Sequence, residues 1–364
     1  MKYLGEYRDA ELVGQLMEKI KNTVTRPWVI MEICGGQTHS LVKNGILDLL
    51  PPEITMVHGP GCPVCVTPVA MIDQAVLLLE KGVTICSFGD MLRVPGSEKS
   101  LLKAKSEGGD VRIVYSPLDA IKMARKAPEK EFVFFAVGFE TTAPANALSV
   151  IQADKLGLNN YSILTSHVLV PPAMGAILDD PENKVQGFLA AGHVCTIMGT
   201  EEYNPLVNKY KIPVVITGFE PVDLCHGILM TITQLEKGEA RLENQYSRVV
   251  KPFGNPAARK VVQSVFETGD REWRGIGTIP MSGYIVRPGF AQFDAERKYG
   301  LAPARSKENP ECIAGDILRG IRKPDQCPHF GKKCNPENPL GAPMVSTEGA
   351  CAAYFNYSHQ TMAS

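Results

Sequence analysis

Ten cysteines occur in 364 residues, and seven of them fall into two groups whose spacing suits different chemistry. The first is Cys34, Cys62 and Cys65, in the glycine-rich strings CGGQTH (34–39) and GPGCPVC (59–65). The second is Cys312, Cys327, Cys334 and Cys351, spaced C-x14-C-x6-C-x16-C through a segment studded with Pro, Gly and Lys. Four thiolates on irregular backbone suit a tetrahedral metal or an iron–sulfur cluster, because four Cys ligands complete either site. None of the four stands in the tight CxxC pair usual for zinc, and the spacing differs from the bacterial ferredoxin run. A cubane [4Fe–4S] cluster is therefore favoured over structural zinc, and zinc over four unrelated thiols. His329, beside Cys327, is read as a neighbour or surface residue and not as a ligand.

In the first group, CGGQTH follows the apolar run PWVIMEI (27–33). Gly35 and Gly36 allow a sharp turn that would expose Cys34 at a strand's carboxyl end. Gln37, Thr38 and His39 could then hydrogen-bond whatever the thiolate carries, and a nearby His can lower a thiol's pKa. An inert, buried Cys in a strand-to-helix turn is the competing reading. In GPGCPVCVTP, Pro63 sits between Cys62 and Cys65, as in oxidoreductase CxxC motifs, where a restricted turn and a helix start favour thiolate. One strand–helix unit separates the two motifs, so both loops would open on one sheet edge.

Other polar groups stand where apolar strands end. Asp90 and Arg93 lie in FGDMLRVPGS (88–97), and Glu140, Thr141 and Thr142 in GFETTAP (138–144). All five are cleft candidates, although helix capping explains the threonines equally well. Cys86, Cys195 and Cys225 read as small buried hydrophobes. The first two fall inside β-branched apolar runs, and the third lacks a partner at ligand spacing. No Walker motif, G-x-G-x-x-G or Ser-His-Asp order occurs, so nucleotide-driven chemistry has no support.

These residues need elements to hold them. Short apolar runs recur at 27–33, 54–57, 83–88, 111–115, 132–139, 161–167, 193–198 and 213–219, with helical patterns between them such as 68–82 and 117–128. Runs apolar on both faces are what parallel strands covered by helices require. The fold class expected is α/β, with two similar open parallel-sheet (Rossmann-like) domains of four strands each, and a single eight-stranded βα barrel as runner-up. VGFETTAP (137–144) and TGFEPVD (217–223) form a weak internal echo. TIPMSGYIVRPGF (278–290) alternates like an antiparallel hairpin, after which Pro, Gly and Lys thicken. The expected domains are 1–120 with CGGQTH and GPGCPVC, 121–250 with GFETTAP, and a small cluster-stapled domain over 251–364.

Net charge is −1, with 38 basic against 39 acidic residues and no basic block, so nucleic acid and anionic membrane are poor partners. The N-terminal stretch lacks the apolar core of a signal peptide, and no apolar run approaches a membrane span. A cytoplasmic protein is expected, and in that reducing compartment metal or redox use of the cysteines gains weight over structural disulfides.

Taken together, CGGQTH, GPGCPVCVTP, FGDMLRVPG, GFETTAP and C-x14-C-x6-C-x16-C resemble the HypD family of [NiFe]-hydrogenase maturation factors, from residue 34 to 351. The resemblance implies a scaffold on which the Fe(CN)2CO unit of a hydrogenase is assembled, with no turnover reaction assigned. Cys34 would be the iron ligand, shared with a HypC-type chaperone. Cys62 and Cys65 would form a redox-active pair between that iron and a [4Fe–4S] cluster on Cys312, Cys327, Cys334 and Cys351. The GFETTAP loop would help dock the chaperone or a HypE-type cyanide donor. A free-standing thiol oxidoreductase, using only Cys62 and Cys65 beside a structural cluster, is the alternative; it has no role for Cys34.

Overall fold

A computed structural model describes residues 5–301 and 307–358. Eleven strands are found among them: β1 Trp28–Glu32, β2 Ile54–His58, β3 Thr84–Ser87, β4 Val111–Ile113, β5 Phe132–Gly138, β6 Tyr161–His167, β7 Gly187–Ala191, β8 Val214–Thr217, β9 Leu242–Asn244, β10 Phe266–Trp273 and β11 Gly277–Val286. The first nine build two open, fully parallel sheets, of order β2-β1-β7-β8-β9 and β4-β3-β5-β6. Every residue of β5, β6, β7 and β8 is buried, as covering on both faces demands. The architecture is thus α/β with two Rossmann-like sheets, and the closed barrel is set aside.

Sheet membership does not change at residue 120/121. The segment from β3 to β6 forms the four-stranded sheet, inserted between β2 and β7 of the five-stranded one. Counted along the chain within each sheet, the strands run 2-1-3-4-5 in the five-stranded sheet and 2-1-3-4 in the four-stranded one, so each has a switch point between its first and third strands. These fall at β1/β7 and β3/β5, where open α/β sheets form crevices for ligands. The Gly-Phe-Glu echo does not follow this correspondence. One copy leaves β5, third in its sheet, and the other leaves β8, fourth in its sheet.

Two expected elements differ. HVCTIM (193–198) is not a strand but lies within the helix Gly192–Met198, and the strand is β7 just before it. A short apolar run fits either state, and Gly187, Ala190 and Ala191 gave β7 little β-branched signal. The alternation over 278–290 belongs to one strand, β11, which pairs antiparallel with β10 upstream instead of folding back on itself. β11 also reaches the four-stranded sheet, where Leu169 N–H donates to Ser282 O (2.7 Å) just beyond β6. After β11 the chain has short helices and turns but no further strand among the described residues.

Candidate functional site

Cys34 stands two residues beyond the end of β1, at the β1/β7 switch point, as N-cap of the helix Gly35–Lys43. Its carbonyl accepts the N–H groups of Gln37 (2.9 Å) and Thr38 (3.0 Å). The side chain is not exposed as expected; the residue is 3 % accessible. The glycines explain the difference. A Cβ on Gly61 would overlap the backbone of Cys34, and one on Gly35 would overlap Glu348, so these glycines admit other chain segments over the thiol. Burial pushes the Cys34 thiol well up, and Glu348 and Glu32 push the same way, against lowering by the Gln37 and Gly36 amides.

The imidazole facing Cys34 is His193, with Nδ1 3.7 Å from Sγ, and not His39. His193 opens the helix after β7, so the two sides of the switch point supply thiol and imidazole. Burial drops the His193 pKa to about 4, leaving it neutral at pH 7. Phe219, beyond β8, packs on its ring with centroids 5.1 Å apart and also approaches Gly36. His39 instead points Nδ1 at Thr347 O (3.1 Å), and its ring meets Tyr357 edge-on. Gln37 donates to Thr217 Oγ1 (2.6 Å) and Ala190 O (3.2 Å), tying the turn to β8 and β7.

Beneath Cys34 runs a buried polar chain. Glu32 Oε2 accepts the Cys34 N–H (2.9 Å), while Oε1 accepts Thr38 Oγ1 and His58 Nδ1 (2.7 Å). His58 Nε2 reaches the Tyr354 hydroxyl (2.9 Å). Tyr354 lies one turn after Cys351 on the helix Ala350–Tyr357, so the chain links Cys34 to the C-terminal cysteine segment.

Cys62 and Cys65 form a disulfide, with Cα atoms 5.2 Å apart, across the short helix Pro63–Val66. The pair is not on a surface-facing loop: Cys62 is 3 % and Cys65 0 % exposed, in the same core cluster as Cys34. Gly35 N–H donates to Gly61 O (3.0 Å), which joins the two motifs directly. Val64, between the cysteines, packs on the cluster containing Ala342 and Val345. The FGDMLR loop closes on the same segment through Arg93 Nη2 to Val345 O (2.9 Å), with Asp90 3.7 Å from Arg93.

Cys312, Cys327, Cys334 and Cys351 line a single cavity whose other walls include Ile313, Ile317, Phe330 and Met344. Burial raises the thiols of Cys312, to about 11, and of Cys334 and Cys351, and the neighbouring cysteines add to each rise. Leu340 N–H lies 3.4 Å from Cys334 Sγ, and a Cβ on Gly341 would overlap Cys312 Sγ. Among the described residues no three His, Cys, Asp or Glu side chains are grouped to hold a metal ion. Four cysteines around one largely apolar cavity, with an amide directed at Cys334, form a donor set of the kind that holds a tetrahedral metal or an iron–sulfur cluster. His329 does not line this cavity and faces Glu311 at 3.9 Å.

The GFETTAP loop is placed elsewhere. Glu140 is buried, its Oε1 accepting Val170 N–H (3.0 Å), and burial raises its carboxyl to about 8. It lines a separate cavity with Glu202, Arg259 and Tyr284. Thr142 bonds Phe139 O and His167 Nε2 (both 3.2 Å), and Thr141 is half-buried. Cys86, Cys195 and Cys225 are buried, as read from sequence.

His193, Glu348, Glu32, His58 and Tyr354 escaped sequence reasoning. The one available signal was the TGFEPVD echo, which marks a loop beside Cys34 through Phe219. No helix among the described residues is long and apolar enough to cross a membrane.

The family model HypD, described as "Hydrogenase formation hypA family", matches residues 11–358. A Hydrogenase maturation factor HypD of Azotobacter vinelandii is 46% identical over 373 residues, covering 100% of this chain and 98% of that protein. The protein of the same name from Escherichia coli (strain K12) is 44% identical over 369 residues, covering 99% of each. One from Rhizobium leguminosarum bv. viciae is 45% identical over 368 residues, covering 98% of this chain and 96% of that protein.

Proposed function

This chain belongs to the HypD family of hydrogenase maturation factors, and from that premise we propose that it is a cytoplasmic scaffold for the Fe(CN)2CO unit. Iron is the cargo, mounted on Cys34 and shared with a HypC-type chaperone. Cyanide arrives from a HypE-type donor. A [4Fe–4S] cluster on Cys312, Cys327, Cys334 and Cys351 and the Cys62–Cys65 pair form a redox relay. Glu140, Thr141 and Thr142 lie on the loop that the resemblance gives to partner docking, apart from the iron.

The observation that carries the reading is the path of residues 345–351. They meet the disulfide turn at Val345, cover the Cys34 turn at Glu348 and deliver Cys351 to the four-cysteine cavity. One segment thus brings the three cysteine groups together. Soft thiolate suits low-spin iron, but only once deprotonated. Cys34 is held protonated by burial, so its proton must leave as iron binds, and neutral His193 at 3.7 Å can accept a hydrogen bond from the thiol until then. When bound, the cluster supplies electrons at low potential. The disulfide, on opening, stores two electrons and two protons as a dithiol. Burial of both its sulfurs argues against service to free disulfide substrates, and the oxidoreductase alternative still leaves Cys34 idle.

The test is anaerobic infrared spectroscopy of the chain with its small chaperone, alongside iron and sulfide analysis. The wild type is expected to show metal-bound cyanide and carbonyl bands and about four irons at the quartet. Cys34→Ala loses the bands and keeps the quartet's iron, whereas Cys327→Ala loses that iron. Bands that survive in Cys34→Ala, or a colourless wild type carrying one zinc, refute the reading.

A further inference from the structure

The turn between β10 and β11 carries a buried cation that makes no ion pair among the described residues. Arg274 follows Trp273 and is 4 % exposed. Its backbone N–H donates to Val66 O (2.9 Å), the residue after Cys65, and Nη2 donates to Pro95 O (2.7 Å). Nη1 is buried and has no hydrogen-bond partner among the described residues. Glu308, Cys312 and Asp73 act on it through charge, without a hydrogen bond to it, and the two carboxylates have other partners. Glu308 is engaged by Gly275 N–H (3.3 Å), and Asp73 by Ser97 N–H (2.8 Å) and Oγ (2.6 Å). A guanidinium stays charged at every accessible pH, and burying a charge without a paired anion is costly.

That group lines a cavity of about 330 Å³ shared with Lys307, Asn309, Glu308 and Cys312. Two cations against one carboxylate leave the lining net positive. The cavity lies between the disulfide turn, which Arg274 grips through Val66, and the first cysteine of the quartet. We propose that this cavity binds a small oxyanion, a phosphate- or carboxylate-bearing molecule, held by Arg274 Nη1 and Lys307. The site is unrelated to the cargo thiol and stands whether or not the scaffold reading does. Bound there, an anion adds negative charge beside Cys312 and makes any redox centre on the quartet harder to reduce.

The test uses the full chain with its native metal content, anaerobic and at constant ionic strength, titrated calorimetrically with inorganic phosphate. One phosphate per chain is expected, with affinity about tenfold lower in Lys307→Gln and lower still in Arg274→Gln. The same titration should shift the reduction potential of the bound metal centre downward in the wild type and leave it still in Arg274→Gln. Lys307 is exposed, so its variant keeps the test decisive even if Arg274→Gln fails to fold. Absence of binding, or unchanged affinity in Lys307→Gln, overturns the proposal. So does phosphate that binds only after the metal is stripped, since Arg274 would then be the counter-charge of the quartet's own thiolates.

Discussion

Glu32→Gln isolates the buried chain under Cys34, because it changes hydrogen-bond polarity at nearly constant shape. Glu32 is fully buried and accepts three donors: Cys34 N–H on one oxygen, and Thr38 and His58 on the other. A carboxylate only accepts, so His58 Nδ1 donates to it and Nε2 is left to meet the Tyr354 hydroxyl. In the variant one oxygen becomes an amide nitrogen. Facing Cys34, that nitrogen strands one N–H; facing the other way, it strands two donors. The cheaper arrangement costs about 1–3 kcal/mol for the unpaired buried donor, plus roughly 1 kcal/mol for the lost charge-assisted bonds. With a urea slope of about 3 kcal/mol/M, the unfolding midpoint should fall by roughly 1 M. Tyr354→Phe should cost less, about 1 kcal/mol, since only one end of His58 loses its partner. The two variants share His58, so the double variant should deviate from additivity by at least about 0.5 kcal/mol. Anaerobic urea unfolding followed by circular dichroism gives all three values. Native-state alkylation gives the local readout, with Cys34 labelled faster in Glu32→Gln. A midpoint unmoved by Glu32→Gln, or strict additivity with Tyr354→Phe, would refute the chain as a working unit.

Two further outcomes follow from burial. Cys65→Ser should lower stability by about 2 kcal/mol through loss of a short cross-link in the core; paired thermal melts check this, and an unchanged melting temperature would show that the pair is not closed in solution. Glu140 has its carboxyl raised from 4.5 to about 8, so between those values the folded chain holds a proton that the unfolded chain has released. Stability from this residue therefore falls as pH rises from about 4.5 to about 8 and is level above, and Glu140→Gln should abolish that slope in urea titrations at pH 5 and pH 8.5.

The parts of this fold that sequence revealed are those set by local pattern. Apolar runs buried on both faces marked β5 and β6 to within a residue, because a covered parallel strand has no polar side to show. Cysteine spacing separated the four that line one cavity from the pair that closes a disulfide, since both groupings are written in the intervals along the chain. What stayed hidden was non-local. That glycines beside Cys34 admit chain instead of solvent depends on Glu348, more than 300 residues away. His193 was masked by a run that reads equally as strand or helix, and His39 lies nearer in sequence while facing Thr347. Glu32, His58 and Tyr354 gave no signal because each is an ordinary residue until three elements meet.

The two sheets sharpen this point. They share the order 2-1-3-4 over their first four strands and so offer two equivalent crevices, and at the β1/β7 crevice a thiol, Cys34, faces an imidazole, His193. At the β3/β5 crevice the loop after β3 does a different job. Met91 and Leu92 pack with Ala342 and Val345, and Arg93 holds the Val345 carbonyl. That anchors the segment which then runs through Glu348 over Cys34 to Cys351. The second sheet thus acts on the first crevice by fixing its lid, and the lid is also the strap of the four-cysteine cavity. Two routes of contact thus join the four-cysteine cavity to Cys34: one over the top through Glu348, and one underneath through Tyr354, His58 and Glu32.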